Sequence, residues 1–284
     1  MDRKIIGLIF IVFLIYCKED KLKKAERFLK EGRVEEAQYL VESYLKKNEM
    51  DSKALFLLSE IFFTKGDYYK ALQVIKKIPN KEVYKDKILS DVKYIFDKTK
   101  NFSKEISYEA AEIILLLEPE YYDKNLYLYL GKTYKEKGKF LEAEKIFKKI
   151  WEIEKDYESL LNLLNLLYEK GEYLEIIILK ENIPSKYLNE EVNLIIGNSL
   201  FEISKIYYTE EKIDSAILFI DKFLEIGIPP AKLAEAYYIK GELLLLKGDT
   251  TSAIKNFYNV LKENPAKETG LPKKAKEKIK EITR

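Results

Sequence analysis

The chain has 284 residues, 47% of them hydrophobic and 35% charged, and its 50 Lys and Arg against 48 Asp and Glu leave a formal net charge of +2. So close a balance sets up no field that would draw nucleic acid to the chain as a whole. A single cysteine excludes an intramolecular disulfide framework and a multi-cysteine metal site, the absence of histidine removes the commonest metal ligand and general base, and 11 Gly with 7 Pro suit long helices rather than a turn-rich β fold.

At the N-terminus Arg3 and Lys4 precede Ile5 to Tyr16, twelve residues without a charge. A membrane-crossing helix needs about 20 apolar residues, whereas a signal-peptide core needs about 7–15 behind a basic start. The run ends in "FLIYC", which resembles the lipobox of bacterial lipoproteins. Leu14 and Ile15 hold its apolar places, Cys17 would carry the lipid, and Tyr16 departs from the small residue usual before the cysteine. The resemblance implies export and a lipid anchor on Cys17, placing the chain at the periplasmic face of the inner or outer membrane. An uncleaved signal-anchor and a soluble, cytoplasmic chain are the alternatives.

The rest of the chain repeats. "EGRVEEAQYLV", "KGDYYKALQVI", "KGKFLEAEKIF" and "KGDTTSAIKNF" each place an alanine five residues after a glycine and an apolar residue four further on. The triplets are Gly32, Ala37, Val41; Gly66, Ala71, Ile75; Gly138, Ala143, Phe147; and Gly248, Ala253, Phe257. Weaker copies run Gly171, Ile176, Lys180 and Glu211, Ala216, Ile220. Gly32 to Gly66 is 34 residues and Gly138 to Gly171 is 33, whereas Gly66 to Gly138 is 72. The period and residues such as Tyr127, Leu130, Gly131, Tyr134, Gly138, Ala143 and Phe147 resemble the tetratricopeptide repeat, a helix–turn–helix unit of 34 residues.

The resemblance implies an all-α, right-handed superhelical solenoid of antiparallel helix pairs. Residues 1–17 would be the signal and lipid-anchor segment, 18–266 about seven repeats with two degenerate, and 267–284 a C-terminal capping helix with Ala275 and Ile279 facing inward. The turn glycines would close each first helix in a left-handed conformation. Gly131 and Gly241 fall inside helices, where glycine costs about 1 kcal/mol relative to alanine, so they mark a close crossing by another helix. The stretches around Pro79, Pro184, and Pro229 with Pro230 read as inter-repeat turns, and a long helix is expected from about Glu190 to about Tyr208.

In this family the first helix of each pair lines a concave groove that binds a peptide or helix. Carrying over the register puts Phe56, Glu60 and Phe63; Leu128, Lys132 and Lys135; Leu161, Asn165 and Tyr168; and Tyr238, Glu242 and Leu245 on that face. The chaperone-binding branch grips C-terminal carboxylates with a Lys and Asn clamp; Leu22 and Glu26 stand there instead, so that activity does not carry over. No phosphate loop, metal-ligand cluster or nucleophile–base pair is visible, so neither an enzyme, a cofactor nor a small-molecule substrate is expected. Glu26, Glu60, Glu169, Glu235 and Glu242 on the expected groove argue against an RNA-reading repeat. The expectation is a membrane-anchored scaffold for protein or peptide partners in the bacterial envelope. The alternative is a non-lipidated scaffold or regulator.

Overall fold

The computed structural model describes residues 21–263 and 270–284; Cys17 and the apolar run before it lie outside the described residues. Among the described residues there are fifteen α-helices and no strand. They are α1 (Lys21–Lys30), α2 (Val34–Leu45), α3 (Ser52–Thr64), α4 (Tyr68–Lys77), α5 (Lys85–Thr99), α6 (Lys104–Leu117), α7 (Lys124–Glu136) and α8 (Phe140–Glu154). There follow α9 (Tyr157–Glu169), α10 (Tyr173–Lys180), α11 (Glu190–Thr209), α12 (Ile213–Ile226), α13 (Leu233–Leu246), α14 (Thr250–Glu263) and α15 (Leu271–Ile282). Consecutive helices form seven pairs, α1 with α2 through α13 with α14, and α15 packs on the last. The fold is thus all-α, built of stacked helix pairs. No helix among the described residues is long and apolar enough to cross a membrane. The chain divides into two compact units, 1–126 and 127–284, with the division inside α7.

Side-chain caps start six of the helices. Asp51, Asp67, Asp123, Asp156, Asn189 and Asp249 each accept a backbone N–H two or three residues on, with the side-chain oxygen serving an orphan donor of the first turn. The turn inside a pair shows most clearly at Gly66. Its N–H donates to Phe63 O at 3.0 Å, and the N–H of Asp67 donates to Phe62 O at 2.9 Å, the paired bonds of a Schellman ending. That geometry needs a left-handed residue, and Gly66 takes φ +74°. Glu211 fills the same place in the sixth pair with φ +58° and repeats both bonds, from Glu211 N to Tyr208 O and from Lys212 N to Tyr207 O.

The third pair explains the stretched spacing. Its turn at Phe102 carries no left-handed residue, and Ser107 fills the alanine place five residues on, fully buried. The Ser107 hydroxyl reaches Ser103 O at 2.8 Å and Thr99 Oγ1 at 2.9 Å, so the polar atom is satisfied inside the crossing. Phe102 stands 36 residues from both Gly66 and Gly138, which divides the 72-residue gap equally. The three proline stretches lie in inter-pair turns, each with a 3₁₀ segment, and α11 is 20 residues long.

Ala37, Ala71, Ala143, Ala216 and Ala253 are fully buried, each on the second helix of its pair. A Cβ on Gly131 would stand 2.5 Å from the Phe147 ring, and one on Gly241 2.7 Å from the Phe257 ring, so both glycines admit a phenylalanine from the paired helix. At the C-terminal end Ala275 of α15 joins Ala253, Phe257 and Val260 in one core cluster, and Ile279 packs against it.

Two substitutions check this account. Ala143→Leu overpacks the crossing of α7 and α8 and is expected to cost about 1–3 kcal/mol in denaturant unfolding; an unchanged midpoint contradicts the packing. Glu211→Gly relieves a left-handed glutamate and is expected to add about 0.5–1 kcal/mol, provided the turn keeps its conformation.

Candidate functional site

In the first unit the face presented by α1, α3 and α5 forms a groove of about 490 Å³. The three residues expected there, Phe56, Glu60 and Phe63, all line it, and Leu29, Leu57 and Tyr84 complete its apolar lining. Tyr84, from the turn before α5, stacks on Phe56 with centroids 4.3 Å apart and planes within 8°. Phe63 meets Tyr94 edge-on at 5.5 Å and Tyr68 at 6.0 Å. Tyr84 escapes the repeat register because it lies between pairs, so no periodic signal points to it.

Charges ring these aromatics. Lys53 bonds Glu26 at 2.8 Å and Lys87 reaches Glu60 at 3.3 Å. Both members of the two pairs are 34 residues apart, so one tie recurs between successive first helices. Lys87 also holds Asp91, a largely buried carboxylate, at 2.8 Å. Burial pushes the Glu60 carboxyl above its ordinary range, and the adjoining Asp91 adds to that; Lys87 only partly opposes it. The Lys87 ammonium is held above its usual value because the two carboxylates outweigh its own desolvation.

In the second unit the expected groove residues divide into three kinds. Lys132 and Lys135 reach forward to Glu158 at 2.8 Å and Glu169 at 2.6 Å. Glu242 accepts from the Tyr208 hydroxyl at 2.9 Å. Leu161, Asn165 and Tyr168 are half-buried on α9, with Tyr168 against Tyr173 at 5.3 Å. Tyr238 and Leu245 are partly buried against the C-terminal cluster, Tyr238 lying 5.6 Å from Phe257. Burial, reinforced by the negative charge of Glu242, pushes the Tyr238 hydroxyl up to about 12.

Leu128 requires a correction. It is 7% exposed, and with Leu126, Tyr127 and Leu130 it makes α7 apolar around most of its circumference, so it serves the core and offers a partner nothing. The repulsion expected from the groove glutamates also weakens. Glu26, Glu60, Glu169, Glu235 and Glu242 each have a lysine or a tyrosine hydroxyl beside them.

A cluster of Glu144, Glu172 and Glu175 brings carboxylate oxygens within 4.8 Å of one another. Lys148 bridges Glu144 to Glu175, and Lys170 bridges Glu144 to Glu172. Burial works against the Glu144 charge, and the two lysines overcome it and hold its pKa below the usual range. The cations are already supplied by the protein, and the cluster is an ion-pair network tying α8 to the next pair.

A family model for the tetratricopeptide repeat matches residues 22–82, and a second matches 125–157 and 234–267. The chain carries tetratricopeptide repeats. No curated protein matches it. Among solved structures it is similar to a chain of Naa15/Naa10 bound to HypK-THB, at 13% identity and TM-score 0.45 over 93% of this chain but only 38% of that one. It is also similar to YrrB, a TPR protein with an unusual peptide-binding site, at 15% identity and TM-score 0.35 over 84% of this chain and 97% of that. PilF of Pseudomonas aeruginosa aligns at 14% identity and TM-score 0.27 over 93% and 95% of the two chains. At these identities the likeness extends to no partner.

The groove carboxyl supplies a pH test. A glutamate whose folded pKa is raised contributes stability below its unfolded pKa and loses that contribution as pH rises through the folded value. Unfolding free energy of the native protein minus that of Glu60→Gln is therefore expected to grow on acidification from neutral pH to below the ordinary glutamate range. A pH-independent difference contradicts the assignment.

Proposed function

We propose that the chain is a protein–protein interaction scaffold whose first-unit groove holds a peptide or helix from its partner, and that it works tethered to a bacterial envelope membrane through Cys17. The observation that carries the interaction reading is the groove itself. Phe56, Phe63, Tyr84, Leu29 and Leu57 form a continuous apolar floor between repeats, whereas the charges around it are largely tied to one another. Such a surface takes aromatic or aliphatic anchors at i, i+3 or i+4 of a helix, or at alternate residues of an extended segment. Aromatic floors of this kind concentrate binding energy.

The tether rests on the sequence: a basic start, a short apolar core and a lone cysteine at the point where charge begins. Two or three acyl chains on Cys17 would hold the protein stably at a bilayer, since one chain alone binds marginally.

Metabolic labelling with a palmitate analogue is expected to mark the native protein and not Cys17→Ser. Label that persists in the serine variant defeats the anchor and favours the non-lipidated scaffold. A photo-crosslinker at Phe63 is expected to capture a discrete protein in cells, with the adduct reduced by Phe56→Ala. An adduct indifferent to that change, or none, removes the groove from the function.

A further inference from the structure

The helices of the first unit alternate in direction, so the starts of α1, α3 and α5 lie at one edge with the ends of α2 and α4 and the turns between pairs. Contacts hold that edge together. The Tyr44 hydroxyl donates to Asp51 Oδ2 at 3.4 Å, the N–H of Asn80 donates to Ser52 Oγ at 3.3 Å, and Lys53 meets Glu26 at 2.8 Å. Lys21 opens α1 here, so residues 1–20, Cys17 among them, are joined to the protein at this edge.

The edge is basic. Residues 21–24, 46–51 and 76–86 hold nine lysines against four acids. Lys21, Lys23, Lys46, Lys47 and Lys77 are exposed, and their ammonium groups make no ion pair with a described residue. Of the acids, Glu82 meets Lys85 at 3.5 Å and Asp51 caps α3, which leaves Glu49 and Asp86 to oppose five lysines. The tips of the two turns are apolar: Met50 is 64% exposed and Val83 70%. The opposite edge of the same unit, residues 30–36, 64–70 and 97–105, holds seven basic residues against six acids. It carries Phe102, 90% exposed, without the excess of positive charge.

We propose that this edge is a lipid-binding surface that seats on an anionic bilayer, with its lysines against headgroup phosphates and Met50 and Val83 in the headgroup layer. The inference rests on the membrane tether proposed above and adds what a lipid alone does not supply, a preferred orientation. Cys17 stands four residues before Lys21, at most about 14 Å of extended chain. A lipid there brings this edge to the bilayer, whereas the opposite edge stands a helix length further off, about 20 Å for the 13 residues of α3. Unpaired lysines are drawn to anionic lipid within about a Debye length, ~10 Å at 0.1 M salt. A basic patch alone would accept any polyanion. The apolar tips beside it favour a surface with an apolar interior over an acidic polymer. Tyr84 follows Val83 and stacks on Phe56, so the seated edge presents the first-unit groove at the membrane surface.

The full chain carrying Cys17→Ser tests the surface apart from the lipid, just as the palmitate label tests the tether apart from the surface. Co-sedimentation compares vesicles of phosphatidylcholine with vesicles of equal parts phosphatidylglycerol and phosphatidylcholine. Binding to the anionic vesicles is expected to exceed binding to the neutral ones at least about fivefold, and Lys46→Gln/Lys47→Gln/Lys77→Gln is expected to bring that ratio below about twofold. Residues 1–16 are common to parent and variant, so the difference between them belongs to the edge, and melting curves check that both fold. Cys17→Ser leaves no other cysteine, so a solvatochromic dye on Met50→Cys or Val83→Cys reports each tip. Its emission is expected to shift to the blue on anionic vesicles, and that of the same dye on Phe102→Cys to stay unchanged. Equal binding to the two vesicle types, or a triple variant that binds as its parent does, overturns the proposal. So does a lysine-dependent binding without a blue shift at either tip, which would assign the patch to a soluble polyanion, and so does a shift at Phe102 as large as at the tips.

Discussion

Everything in this protein depends on how closely the two helices of a pair approach one another. The alanine place of the second helix is fully buried in six of the seven pairs as alanine or serine, and in the fifth as Ile176. A second position complements it. Seven residues before each turn, the first helices carry Ala25, Ser59, Ile95, Gly131, Leu164, Ser204 and Gly241. Nine residues after it, the second helices carry Val41, Ile75, Ala111, Phe147, Lys180, Ile220 and Phe257. Glycine stands opposite phenylalanine, alanine or serine opposite valine or isoleucine, and in the third pair the order inverts to isoleucine opposite alanine. The volume at the crossing is conserved while its source moves from one helix to the other, as dense packing requires. In the fifth pair buried Leu164 fills the crossing from α9, and α10 ends at Lys180 after only eight residues.

Once the crossings fix the register, equivalent residues of successive repeats lie side by side, and the charges follow. Glu26 with Lys53, Glu60 with Lys87, Lys135 with Glu169, Tyr208 with Glu242 and Lys247 with Asp214 join neighbouring repeats across 27 to 34 residues of sequence. In the stretched third repeat the tie stretches with it, Gln73 bonding Glu109 across 36. Exposed pairs of this kind contribute only about 0.2–1 kcal/mol each. Their larger effect is to neutralise the surface, which leaves the aromatic floor of the first-unit groove as its distinctive feature.

Much of this was legible because a repeat is read several times over. The turns, the buried alanines and the long α11 all follow from positions that recur, and the third pair resisted because it changed the period, the turn and the polarity of its crossing together. Three matters lay beyond one-dimensional spacing. Leu128 shares the register of a surface position, but α7 is apolar nearly all round, and only the packed neighbours decide which side is covered. Tyr84 belongs to no repeat position and reaches Phe56 from a turn. The ties of Lys132 and Lys135 run to the following pair, so residues that resemble offered charges are already engaged.

On the first-helix side, repetition brings acid beside base between successive repeats, and the ties that follow from the register cancel the electrostatic signal. Affinity in the proposed groove would come from burying Phe56, Phe63 and Tyr84, an interaction that is weakly directional. A repeat protein gains directionality only where one copy departs from the others.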